Sequence, residues 1–252
     1  MKSTQEKAKR VLFAALLASL VSAATWAQAP AQPGWLDVTI VQVKGGRGPD
    51  FEDRVKELQA ARIAAGMPAL QVFNVVSGHP NEYHLVVPVQ SLAENDNPRP
   101  PMGPGAMAAW TARVTETVDS ARFFYARTYP QHAIQGGQNG PAPQLLLLRT
   151  THVISGKEAE YEDWIANEYM PAFRQTNPLG HTMSQGAFGD SGQNFYHAVP
   201  IANWAALDQQ DPLAEVLGER RMEQMIDHLD GIVESSGLVV ARIRTDLMPD
   251  QN

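Results

Sequence analysis

The chain has 252 residues, a net charge of −7, seven histidines and no cysteine. Without sulfur nucleophiles, disulfides, thiolate metal sites, thiol catalysis and lipoprotein acylation are excluded. An acidic chain lacking any long Lys/Arg cluster repels phosphate backbones and anionic lipid, which argues against nucleic-acid and peripheral membrane partners.

The N-terminus sets the expected compartment. Lys2, Lys7, Lys9 and Arg10 form a basic region around Glu6, and Val11 to Ala24 is apolar apart from two serines. Small residues follow, so residues 1–27 read as a cleavable secretory leader ending at Ala27, with Ala23 as a second option. Cleavage would leave a periplasmic or secreted chain of roughly 225 residues, enough for a real core. It removes four basic residues and one acidic residue, moving the charge from −7 to −10. No later run approaches the ~20 apolar residues of a membrane span, so no integral membrane segment is expected after cleavage.

After a short segment, 28–35, the pattern reads twice over. In the first repeat, 36–130, a β-rich run from Leu36 to Val43 precedes a helix whose apolar stripe is Phe51, Val55, Leu58 and Ile63. Gly66 suits the end of that helix. Leu70–Val76 and Glu82–Val89 read as strands around a turn at residues 77–81. Prolines and glycines keep residues 95–105 irregular. A second helix carries Met107, Trp110, Val114 and Val118, and Phe123–Arg127 closes the unit.

Residues 131–143, rich in Gly, Gln and Pro, read as a linker. The second repeat, 144–248, opens with a strand from Leu145 to Val153. A helix follows with the stripe Tyr161, Ile165, Ala172 and Phe173, and Ser155 and Glu158 have capping-box spacing. Strands Thr182–Phe188 and Asn194–Ile201 flank a glycine turn. A long helix is expected next, capped by Asp211, carrying Pro212 in its first turn and reaching Val233. Leu238–Arg242 closes the unit.

Three segments match in order between the repeats at an offset of about 110 to 115. Phe51-Glu52-Asp53 answers Tyr161-Glu162-Asp163. Tyr83-His84-Leu85-Val86-Val87-Pro88 answers Phe195-Tyr196-His197-Ala198-Val199-Pro200. Phe123 to Arg127 answers Leu238 to Arg242. Strand-helix-strand-strand-helix-strand is the ferredoxin-like order, whose helices cover one sheet face only. The second copy supplies the natural cover for the other face. The expected fold class is therefore α+β, with two tandem ferredoxin-like β-α-β-β-α-β units forming one pseudo-symmetric α/β barrel.

These repeated units, with the helix segment from Tyr161 to Ala172, resemble the dimeric α/β-barrel superfamily, which includes antibiotic-biosynthesis monooxygenase-like, EthD-like and NIPSNAP-like proteins. The resemblance implies a pocket for a small-molecule ligand and no cofactor. Any chemistry would then be cofactor-independent oxygenation, isomerisation or lyase chemistry. Chlorite-dismutase-like haem proteins are also duplicated barrels, but their proximal-histidine motif has no clear place here, so haem is a secondary option. A non-catalytic periplasmic binding or protein-interaction module is the alternative, and homo-oligomerisation stays open.

No phosphate loop, zinc helix or nucleophile elbow is present. The difference between the copies is more informative. Thr39 answers Arg149, Gln42 answers His152, Leu85 answers His197 and Leu58 answers Glu168, so the second copy is the more polar. A pocket gathering Glu168, His152 and His197 as acid/base groups would suit proton transfer, with Arg149, Tyr169 and Trp164 as substrate-binding candidates. Two placements of Glu168 are open: inward on the stripe, or at its edge with Tyr169 taking the buried position. Pro171 should kink the helix. If Phe188 pairs near Phe195, His181 and His197 lie roughly 16 Å apart at ~3.3 Å per residue, which argues against a metal site.

Overall fold

The structure, a computed structural model, describes residues 34–136, 142–209 and 211–248. The leader, most of segment 28–35 and the middle of the 131–143 segment lie outside the described residues. The first half comprises β1 (Trp35–Val43), α1 (Gly48–Ala64), β2 (Gln71–Val75), β3 (Glu82–Val89), α2 (Pro104–Thr115) and β4 (Val118–Thr128). The second comprises β5 (Leu145–Val153), α3 (Glu158–Trp164), a π-helical turn (Ile165–Tyr169) and α4 (Met170–Gln175), then β6 (Thr182–Gly186) and β7 (Asn194–Ile201). It ends with α5 (Pro212–Leu217), α6 (Glu219–Asp227) and β8 (Val233–Ile243).

Strand alternation gives each strand one side for helices and one for the barrel interior. The strands close into a barrel in the order β1-β3-β2-β8-β5-β7-β6-β4, with β4 returning to β1. Each half keeps its own antiparallel set, and the seams are β2 with β8 and β4 with β6. This is the expected α+β barrel of two ferredoxin-like halves. Val38, Phe124 and Ala126 meet Tyr196 inside the barrel, and Phe73, Leu146 and Ile243 form a second interior cluster. Outside, α1 buries Phe51 and Val55 against Val72 and Tyr83. Tyr161, Trp164 and Ile165 bury against Met183 and Phe195 in the second half. Each fully buried side chain of this size contributes about 1.5–3 kcal/mol.

The halves also exchange their ends. After β4, a 3₁₀ turn (Pro130–His132) runs onto the second half, where Tyr129 and Ile134 join the Tyr161 cluster and Ile134 pairs with His181. After β8, a 3₁₀ turn (Thr245–Leu247) lays Leu247 into the first half's core, within reach of Gln59. Residues 131–134, read above as linker, therefore pack as part of the second half.

Three local expectations change. Val118 opens β4 instead of closing the preceding helix. Gly156 turns the chain at φ +85 between Ser155 and Glu158, so the first turn of α3 has no side-chain cap. The long last helix breaks at Gly218, with φ +75, and Val233 begins β8. Asp211 does cap α5, its Oδ1 accepting from the Leu213 N–H at 2.9 Å. Asp211→Ala should cost about 1 kcal/mol, read as a Tm lower by roughly 2–4 °C in thermal unfolding.

Candidate functional site

Pro171 shapes the site. Its ring lacks an N–H and crowds the carbonyl four residues earlier, so the helix widens just before it. The Met170 N–H bonds back to the Ile165 carbonyl, five residues away. One extra residue in that turn rotates everything beyond it. Tyr169 and Phe173, rather than Glu168, continue the inward face and stack at 5.2 Å between ring centroids. Helical widening of this kind recurs at functional sites.

Beneath this helix lies a small cleft of about 60 Å³, partly open to solvent, lined by Arg149, Thr151, Tyr161, Trp164, Tyr169 and His197 together with Ile165, Leu229, Val233 and Ser236. Arg149 and Thr151 come from the helix side of β5, and His197 from the facing position on β7, since Arg149 pairs with His197 in the ladder. Trp164 stacks on Tyr161 at 5.9 Å and on Tyr169 at 5.7 Å, and its indole N–H donates to the Met225 carbonyl at 3.1 Å. An apolar aromatic wall therefore lies beside one solvent-exposed guanidinium at the cleft's edge. Arg149 makes no salt bridge among the described residues.

The sequence candidates divide into three places. Arg149, Trp164, Tyr169 and His197 share this cleft. Glu168 does not join them: it faces His228 and Arg221 of the α6 region, with its Oε2 3.3 Å from the Arg221 guanidinium, in a neighbouring cleft that shares only Trp164 with the first. Of the two placements left open, the edge placement is the observed one. His152 also stands apart, because alternation turns it to the other side of β5 from Arg149 and Thr151. There its Nδ1 meets Asn194 Oδ1 at 2.7 Å and its Nε2 meets Glu234 at 3.3 Å.

The 16 Å separation expected between His181 and His197 is wrong. Phe195 pairs with Gln185, not Phe188, so Met183 lies opposite His197 and His181 is only a diagonal neighbour. His181 Nε2 and His197 Nδ1 are 3.1 Å apart. The cause is that Ala187 and Phe188 leave the hairpin to bond with Tyr125 of β4. The two nitrogens that face each other are within hydrogen-bond distance, so one imidazole donates to the other. No group of three or more His, Asp or Glu side chains poised around a metal occurs among the described residues.

The histidines form a directed chain. Tyr161 Oη lies 2.9 Å from His197 Nε2, and His181 Nδ1 lies 2.8 Å from the His132 carbonyl oxygen. A carbonyl only accepts, so His181 donates from Nδ1, and a neutral imidazole then accepts at Nε2. His197 therefore donates from Nδ1 and accepts at Nε2, which leaves Tyr161 as donor to it. Burial pushes the pKa of His181 down to about 4 and that of His197 well below the ordinary histidine range. Burial raises Tyr161 to about 12, with Thr151 and Arg149 pulling the other way. All three are neutral near pH 7.

Sequence reasoning treated Tyr161 as core and did not single out His132. The comparison of repeats held the signal for Tyr161, because its counterpart is Phe51 and the difference is one hydroxyl. By strand register His181 answers Leu70, another apolar-to-titratable change.

The depressed histidine pKa values predict a pH effect. Below about 6.5 the unfolded chain binds protons at these histidines and the folded one does not, so stability falls with falling pH. The loss due to His181 should run between about pH 6.5 and about 4 and then level off. Denaturant unfolding as a function of pH should show this slope, and His181→Asn should reduce it.

Neither His197 nor Tyr161 in this cleft is free to take the axial position that haem iron requires. Haem iron takes an axial His, Cys, Met or Tyr donor. His197 is the one histidine lining the cleft among the described residues, and both its nitrogens are engaged. Tyr161 is held by His197, and the chain has no cysteine.

No family model matches the sequence, and no curated protein matches it. Solved structures do resemble the fold. An anthrone oxidase-like protein aligns at a TM-score of 0.58 and 12% identity, over 84% of this chain and 92% of the other. A Fusobacterium nucleatum protein given a provisional monooxygenase label aligns at 0.59 and 8%, over 84% and 93%. A mutant chlorite dismutase from Candidatus Nitrospira defluvii aligns at 0.52 and 8%, over 84% and 92%. The chain thus shares the ferredoxin-like α/β-barrel fold of these structures, with both halves of the barrel in one polypeptide. Identities this low establish the architecture alone.

Proposed function

We propose that the protein binds a small, planar, weakly acidic molecule in the second-half cleft and removes a proton from it. The observation that carries this reading is a buried, neutral Tyr161–His197–His181 chain set opposite the Arg149 charge in an aromatic cleft. An O–H or C–H bond of the ligand breaks, its proton goes to Tyr161 Oη, and the Tyr161 proton passes to His197 Nε2. The electron pair stays on the ligand, where Arg149 stabilises it. Forming such an anion is the opening step of both cofactor-independent oxygenation and isomerisation. The oxidase-like and monooxygenase-labelled neighbours support an oxygenase over a lyase, by analogy of fold only.

The test uses 4-nitrophenol, whose anion absorbs differently from the neutral phenol. About one pH unit below the point where free dye ionises, dye held by the wild-type protein should show the anion band. His197→Gln should abolish that band. Dye that saturates the protein without changing its spectrum would rule out proton abstraction.

We further propose that the chain is exported, on the basic and apolar pattern of residues 1–27. Intact-mass measurement of protein recovered from the periplasm should place the new N-terminus after Ala27. We also attribute the two like halves to duplication of one ferredoxin-like unit, on the ordered segment matches noted above.

A further inference from the structure

We propose that His181, oriented by the carbonyl of His132 in the turn after β4, is the resting place of the proton that His197 takes through Tyr161. The inference rests on the proton-abstraction reading and names what that reading leaves open, the destination of the charge. His197 is a poor place to keep it. Both imidazoles are enclosed, His197 at 4% and His181 at 1% exposure, but His197 lines the cleft that also holds the Arg149 charge. His181 is one ring further from the cleft and does not line it.

The geometry permits the transfer without any group moving far. As Tyr161 gives its proton to His197 Nε2, His197 releases its Nδ1 proton across 3.1 Å to His181 Nε2. One proton has then moved from ligand to His181, and His197 is neutral again with its tautomer reversed. The new imidazolium still donates from Nδ1 to the His132 carbonyl at 2.8 Å and now donates from Nε2 to His197. The rings of Phe173 at 5.5 Å and Tyr169 at 5.9 Å pack beside it. Glu162 Oε1 lies 3.7 Å from the His132 ring nitrogen Nε2. Arg174 and the His132 ring are the other titratable groups acting on His181, and both oppose its protonation. The His132 ring stays neutral, since burial outweighs Glu162 there.

A carbonyl cannot pass a proton on, so the chain ends at His132 and the charge is stored instead of released. This gives the connection between the two halves a role in the site. The exchanged 3₁₀ turn after β4 supplies the acceptor that orients both imidazoles, and without it either tautomer of His181 would serve. His181 is in this sense a positioning residue that acts through His197.

The test is ¹⁵N NMR of the full histidine-labelled chain, free and with 4-nitrophenol. The free protein should show both His181 and His197 protonated at Nδ1 alone. With the dye bound as its anion, His181 should carry protons on both nitrogens and His197 on Nε2 alone. An Nε2-protonated His197 in the free protein would overturn the directed chain. Ionised dye with the double protonation on His197 would overturn storage on His181 and leave proton abstraction standing. Dye bound as the neutral phenol would overturn both.

His181→Asn supplies the second measurement. Asparagine can accept from His197 and donate to the carbonyl but cannot take a proton. The ratio of ionised to neutral bound dye should therefore drop about tenfold, a rise of about one unit in the dye's apparent pKa. A structural role alone would leave that pKa at its wild-type value. The wild-type spectra decide between the outcomes even where the variant fails to fold.

Discussion

Arg149→Gln should weaken binding of the 4-nitrophenol anion by roughly 10- to 100-fold while leaving the Tm within about 2 °C of wild type. The guanidinium sits on the helix side of β5, across the ladder from His197, and lines the cleft. A hydrogen bond to a charged group contributes about 1.5–3 kcal/mol, and each 1.4 kcal/mol is about tenfold in affinity. Stability should hardly change, because Arg149 has no salt bridge to lose among the described residues. Part of the attraction is long-range, so added salt should narrow the gap between wild type and variant. The measurement is a spectrophotometric titration at two ionic strengths. Equal affinities would mean that Arg149 does not contact the ligand.

A large effect on stability is expected at Gly189. Its backbone has φ +84, a region that costs an L side chain roughly 1–2 kcal/mol. A Cβ there would also lie 2.6 Å from the Phe123 carbonyl oxygen and 3.3 Å from the Phe124 Cα, both backbone atoms that cannot swing aside. The position follows the Ala187–Phe188 segment that pairs with Tyr125, on the seam between the halves. Gly189→Ala should therefore cost about 3 kcal/mol or more, a Tm lower by roughly 6–12 °C. Gly192, in the same loop, has no atom within 4 Å of a built Cβ and no left-handed φ. Gly192→Ala is the control, and its Tm should stay within about 2 °C. Equal effects at both glycines would mean that the seam does not depend on this turn.

The two halves of the barrel were legible because their signals are local and repeated. Strand alternation and the helical stripe of Phe51 and Val55 need only neighbouring residues, and the matched segments in the second half reinforce them. Comparing the repeats also drew Arg149 and His197 out of an otherwise apolar sheet, and the ladder places them side by side. The same comparison misled at Glu168. A 3.6-residue period assumes an unbroken helix, and the π turn ahead of Pro171 advances Tyr169 into the position that the period assigns to Glu168. Pro171 announces a break in the helix, but not the direction in which the helix relaxes.

His181 was hidden for another reason. Whether two residues on a hairpin meet depends on register, and a shift of a few residues turns 3.1 Å into roughly 16 Å. That register is set by a third strand, β4, which draws Ala187 and Phe188 out of the turn. His132 lies further still from anything local, in a segment whose composition reads as linker.

The sequence by itself thus determined the acidic, cysteine-free chain, the ferredoxin-like halves and the polar character of the second sheet, since each follows from composition or short-range period. Only the tertiary structure decided which of those polar groups meet. Hydrogen bonds between β4 and the loop beyond β6, one wide helical turn, and the first half's end laid across the second bring Tyr161, His197, His181 and the His132 carbonyl into a single line. Each of these depends on contacts between segments far apart in the chain, where no local pattern carries the information.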